Sequence, residues 1–179
     1  MQETKFIGSI ITSAVLLSSL ITLGGKIAQA APRPVPLLNA KCVSSGLGTF
    51  RVQTLDVSIG KAVYTSQFYL GAGNRSASMT CKIKPDNRPE PVFQTLNLGF
   101  GMRDNDTKSA GVEVKIYLDG RQAETRTVTP TQKASLTLDV SNVSNVSIEA
   151  VCQQSQYCDR VYFFDSALER KIIPQQPKK

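Results

Sequence analysis

Apolar and polar side chains alternate with period two through most of the second half of the chain. In Gly111-Val-Glu-Val-Lys-Ile-Tyr-Leu-Asp-Gly120, Val112, Val114, Ile116 and Leu118 share one face, while Glu113, Lys115 and Tyr117 take the other. Leu136, Leu138 and Val140 alternate with Thr137 and Asp139, and Val146, Ile148, Ala150 and Cys152 alternate with Ser147, Glu149 and Val151. This period sends successive side chains to opposite faces of a strand; a helix would repeat its apolar positions every three or four residues. Asp119-Gly120 predicts a tight hairpin, since glycine accepts the positive φ of a primed turn. Residues 123–128 form the return strand, and Arg160-Val-Tyr-Phe-Phe-Asp-Ser-Ala167 closes the series.

The first half is less regular but reads the same way. Strands are predicted over residues 35–43, 50–57, 61–70, 78–84 and 93–100, with breaks at 44–48, at Gly60 and at the flexible turn Gly71-Ala-Gly73-Asn-Arg75. Residues 85–91 contain three prolines and form a loop, because proline lacks the amide that a central strand donates. Residues 133–136 read as no more than a turn of helix. Nine or ten short strands without a convincing amphipathic helix predict an all-β protein, a β-sandwich or jelly roll.

The chain begins with a different kind of segment. Lys5 precedes an apolar run from Phe6 to Gly25, and Ala28-Gln-Ala30 offers small residues at a cleavage site. Residues 1–30 are therefore predicted to be a secretory signal peptide, which leaves no membrane span after cleavage; the alternative, a retained membrane anchor, is disfavoured by Ser9, Thr12, Ser13, Ser18, Ser19, Thr22 and Gly24, which interrupt the run. Residues 31–36 read as a proline-rich leader, 37–169 as one domain and 170–179 as a basic tail. Export places the mature protein in a secreted, periplasmic or extracellular setting, where its four cysteines form bridges. Cys152 and Cys158 enclose only five residues between two predicted strands and are the simplest pair. Cys42 and Cys81 follow by elimination.

Without Lys5, Lys26 and Glu3, 19 basic and 13 acidic residues remain, a net charge of +6. The basic residues are scattered rather than striped, which argues against a nucleic-acid partner. There is no histidine, so no histidine-dependent triad or dyad can form, and the protein reads as a non-enzyme without a cofactor. The densest polar loop, Arg103-Asp104-Asn105-Asp106, has two readings: a solvated acidic turn, or a structural calcium site with Asp104 and Asp106 as oxygen ligands. Phe68, Phe93, Phe100 and Phe163 read as core. Tyr69 and Tyr157 stand beside loops and are candidate platforms for a ligand's apolar face.

Four pieces of the sequence together resemble the NPCBM/NEW2 family, a domain found beside glycoside hydrolases, with a galactose-binding-like β-sandwich. They are Leu98-Gly-Phe-Gly-Met-Arg-Asp104, the Gly111–Gly120 strand and turn, the pair 136–140 and 146–150, and Arg160-Val-Tyr-Phe-Phe-Asp165-Ser-Ala-Leu168. The resemblance runs over residues 93–169. It implies a non-catalytic exported module that binds a glycan of the cell wall or an extracellular polysaccharide. The family's Gly-x-Gly-x-His element corresponds here to Leu70-Gly-Ala-Gly-Asn74-Arg75, so the resemblance adds Asn74 and Arg75 as contacts at the rim. It also adds Asp165, which by its own context reads as a structural hydrogen-bond acceptor. The alternative function is an envelope or matrix scaffold whose partner is another exported protein rather than a sugar.

Overall fold

A computed structural model describes residues 33–153 and 157–171. The predicted signal peptide and nearly all of the basic tail lie outside these residues. Eleven strands form two antiparallel sheets packed face to face. The first sheet has the order β3 (Thr49–Ile59), β4 (Ala62–Gly73), β11 (Cys158–Arg170), β6 (Phe93–Gly101), β9 (Lys133–Asp139), and the two-residue β1 (Val35–Pro36) also pairs with β11. The second has the order β2 (Lys41–Ser44), β5 (Ser76–Lys82), β10 (Asn145–Cys152), β7 (Val112–Leu118), β8 (Arg121–Val128).

The alternation read from sequence is what closes the sandwich. Val112, Val114 and Ile116 of β7 and Val146, Ile148 and Ala150 of β10 are fully covered, facing Phe68, Leu70, Leu98, Phe100, Val161 and Phe163 of the first sheet. Phe68 and Phe163 stack with ring centroids 4.5 Å apart. Burying each such ring removes enough apolar surface to contribute about 2–3 kcal/mol. The outer strand β8 instead carries Arg121, Glu124 and Arg126, charges that discourage pairing with another chain.

Several local expectations are corrected. Residues 35–43 are not one strand: a 3-10 turn at Leu37–Asn39 divides β1 from β2 and buries Leu37 in the core. The sheet thus starts inside the predicted leader. Residues 133–136 belong to β9, where Leu136 and Leu138 reach the core, so no helical turn forms. The predicted turn at 71–75 is mostly strand, since β4 runs through Gly73. Among the described residues no helix is long and apolar enough to cross a membrane.

Two bridges fasten the margins of the fold. Cys42–Cys81 joins register partners on β2 and β5, holding a short outer strand to its sheet. Cys152–Cys158 ties the end of β10 in one sheet to the start of β11 in the other.

A second, smaller apolar cluster lies on the other face of the first sheet. Val57, Ile59, Tyr69 and Tyr162 form it, with Leu55, Tyr64 and Phe164 packed against them. It accounts for the apolar residues near the β3–β4 turn, where Gly60 and Lys61 both have positive φ, as a primed hairpin requires.

Candidate functional site

Two chain segments that pass from one sheet to the other, residues 45–48 between β2 and β3 and residues 74–75 between β4 and β5, meet Tyr157, just ahead of β11, at one cavity of about 380 Å³. Each is locally constrained. Gly48 donates its amide to the Ser76 carbonyl at 2.8 Å, and a Cβ there would stand 2.5 Å from the Gly71 carbonyl oxygen. Only glycine fits there, and the neighbouring Leu47 is 80% exposed. Arg75 is held by its main chain: its amide donates to the Ala72 carbonyl at 3.1 Å, and its carbonyl accepts from the Cys152 amide at 2.8 Å. Tyr157 precedes the bridged Cys158 and is 63% exposed, with its ring edge above Gly73.

The floor is backbone. Gly71 and Gly73 leave the strand bare between Thr49 on β3 and Arg160 on β11, and the surrounding wall carries Leu47, Asn74, Arg75, Ser76 and Tyr157. An exposed ring, exposed amide and hydroxyl groups and an open polar floor suit a ligand with one apolar face and many hydroxyls. Among the described residues the lining includes two arginines and no carboxylate. The Arg160 guanidinium carbon lies 4.5 Å from the Tyr69 ring centroid, a cation–π contact.

The residues singled out by sequence separate here. Asn74, Arg75 and Tyr157 line the same cavity. Tyr69 does not: at 3% exposure it is buried in the outer cluster and supports Arg160 from beneath. Asp165 is exposed beside a β-bulge facing Gly99 and is also outside the lining. The sequence reading missed Arg160, although strict alternation with the buried Val161 and with Tyr162 in the outer cluster gives its direction. It also missed Leu47, an exposed residue beside Gly48 whose direction strand patterning does not encode.

Asp104 and Asp106 turn to protein donors rather than to a common centre. The Asp104 carboxylate accepts from the Ser58 hydroxyl at 2.5 Å and from the Gly60 and Lys61 amides at 2.7 and 3.0 Å. The Ser58 hydroxyl and the two amides hold its pKa below the ordinary value. Asp106 pairs with Arg103 at 2.8 Å. Among the described residues no three Asp, Glu, His or Cys side chains gather in a way that could hold a metal, so the calcium reading gains no oxygen cluster here. Burial and the nearby Asp106 charge raise the pKa of Asp159, against the pull of Arg103 and Arg160.

Two further cavities offer less. One of about 730 Å³, on residues 87–92 with Arg170 and Lys171, has no aromatic lining among the described residues. The other, of about 390 Å³, includes Phe93, which is buried and lies under the Arg170 guanidinium.

No protein-family model matches the chain, and no curated protein matches its sequence. Solved structures share its fold. CBM51-2 with INT domains from Clostridium perfringens ZmpB, in complex with GlcNAc, has a TM-score of 0.62 at 13% identity, covering 78% of this chain and 32% of that one. CBM51 from Clostridium perfringens GH95, in complex with methyl-galactose, has a TM-score of 0.58 at 12% identity, covering 76% of this chain and 99% of that one. This chain therefore has the two-sheet, galactose-binding-like sandwich fold seen in these carbohydrate-binding modules. The NPCBM/NEW2 resemblance is supported at the level of the fold, while the comparisons leave the particular family unassigned.

Proposed function

We propose that the protein is an exported, non-catalytic glycan-binding module whose ligand lies across Gly71 and Gly73. The supporting observation is the cavity at one end of the two sheets, which combines an exposed Tyr157 with Asn74, Arg75, Arg160 and an open backbone floor. Tyr157 would cover the apolar face of a pyranose ring, and the amide, guanidinium and backbone groups would bond its hydroxyls. The CBM51 structures in complex with GlcNAc and with methyl-galactose add support, because a fold of this type accommodates single pyranose units. The bridged cysteines and the signal-like N-terminus support an extracytoplasmic setting.

A glycan array probed with the bridged domain at about 0.3 M salt tests this reading, because bulk attraction to acidic polymers is strongly screened there. The expected result is binding to a defined subset of saccharides that Tyr157→Ala removes. Binding to no saccharide, or binding untouched by that substitution, contradicts it.

A further inference from the structure

The charge of the cavity is one-sided in a way that a neutral sugar does not require. Hydroxyl groups are both donors and acceptors, so a site for a neutral saccharide uses carboxylates or amides to receive their protons as well as donors to bond their oxygens. Among the described residues the lining supplies Arg75 and Arg160 but no Asp or Glu, and its acceptors are neutral: Asn74, Thr49, Ser76 and backbone carbonyls. Neither guanidinium forms an ion pair with a carboxylate among the described residues, whereas Arg103 and Arg126 each do. Arg160 is also restrained in advance by its cation–π contact with the buried Tyr69, which leaves less freedom to lose on binding. A planar guanidinium matches a carboxylate through two parallel hydrogen bonds, which an ammonium cannot reproduce.

We propose that this cavity selects saccharides bearing a carboxylate, with Arg75 and Arg160 reading the anion while Tyr157 covers the sugar ring. The inference rests on the glycan-binding reading and assigns the ligand class of the same site. It also distinguishes this chain's cavity from one suited to the neutral sugars seen in the CBM51 complexes.

The test compares oligogalacturonate with the same oligosaccharide after its carboxyl groups are reduced, titrated calorimetrically into the bridged domain at 0.15 and 0.3 M NaCl. Oligogalacturonate should bind at least about tenfold tighter at both concentrations, since the paired contacts are short-range and charge-assisted. Arg160→Lys should lose most of that preference despite keeping the charge. Arg75→Ala, at an exposed position that leaves the fold intact, should reduce it too. Lys41→Ala with Lys84→Ala, in the separate cavity near Phe93, should leave it unchanged. Equal affinity for both oligosaccharides overturns the carboxylate inference and leaves glycan binding standing. A preference that survives the arginine variants but disappears in the lysine pair overturns it by moving the anion elsewhere. Binding of neither saccharide, with the array also blank, removes both readings.

Discussion

The ring of Tyr157 stands over the backbone of Gly73: a Cβ added to Gly73 would lie 3.9 Å from Cε2 of the tyrosine. The aromatic wall and the bare floor of the cavity are thus in register, although 84 positions separate them in sequence. Because Tyr157 is mostly exposed, its ring contributes little to the core. Tyr157→Ala should weaken glycan binding about tenfold to a hundredfold while leaving thermal stability within about 0.5 kcal/mol of the parent. Paired calorimetry and thermal melts check both halves.

The floor permits a cleaner separation. At Gly71 an added Cβ would meet Arg160 Cγ at 3.6 Å and Thr49 Cβ at 3.7 Å, ordinary contacts that need no rearrangement. Gly71→Ala should therefore preserve or raise stability, by up to about 1 kcal/mol, while filling the floor and weakening ligand binding. Gly48→Ala should instead destabilise by about 1–3 kcal/mol, because its Cβ would lie 2.5 Å from the Gly71 carbonyl oxygen and 2.7 Å from Ala77 Cβ. Denaturant midpoints of the two variants should move apart.

The two bridges should separate stability from function. By the chain-entropy account, Cys42–Cys81, with a sequence separation of 39, stabilises by about 4 kcal/mol, and Cys152–Cys158, with a separation of 6, by about 2 kcal/mol. Replacing the first pair by serine should cost more stability and leave binding nearly intact. Replacing the second should cost less stability and more affinity, since Cys158 adjoins Tyr157 and the Cys152 amide holds the Arg75 carbonyl. Parallel unfolding and binding measurements on the two double variants would show whether the order reverses.

Acid should loosen the fold through carboxylates that anchor loops. Asp104 has its pKa lowered by the Ser58 hydroxyl and by the Lys61 and Gly60 amides. For Asp119 partial burial works the other way, but the Ser144 and Asn145 amides and the Asn145 side chain outweigh it and the pKa is lowered. The Ser141 hydroxyl and amide lower that of Asp139. A lowered folded-state pKa means stability fully present above the unfolded value of about 3.9 and lost as pH falls through the folded value. Asp159, raised mainly by burial, acts in the opposite sense: its unfavourable contribution disappears as it protonates. Asp86, at the surface, is lowered as well by its bond to Lys82. With four carboxylates lowered against one raised, the melting temperature should fall below about pH 4. Asp104→Asn should flatten part of that fall, and a melting temperature independent of pH from 5 to 2.5 would contradict this account.

How much of this was legible in sequence depended on whether the information was local. Period-two patterning located β7 and β10 because each buries one face against a continuous core, and Asp119-Gly120 marked its own turn. Pattern failed at residues 35–43, where Leu37 and Val43 look alike but a 3-10 turn sends the first into the core and leaves the second exposed. It failed again at Tyr69. An aromatic residue next to a loop reads as surface, yet the outer half of the β3–β4 hairpin brings Val57 and Ile59 against it. Asp119 was legible as part of a tight turn, but the amides that donate to its carboxylate belong to Ser144 and Asn145, 25 and 26 residues onward. The cavity depends on the approach of Gly48 to Gly71 and of Tyr157 to Gly73, contacts between strands that no local window contains.

Chemical-shift mapping of the isotopically labelled, bridged domain during titration with the tightest saccharide from the array tests the central claim most directly. The account predicts that the amides of Gly48, Gly71, Gly73, Asn74, Arg75 and Tyr157 shift together and saturate at one affinity, with those of β7 and β8 unmoved. Shifts confined to residues 87–92 and Lys171, or to the β7–β8 turn, would contradict it.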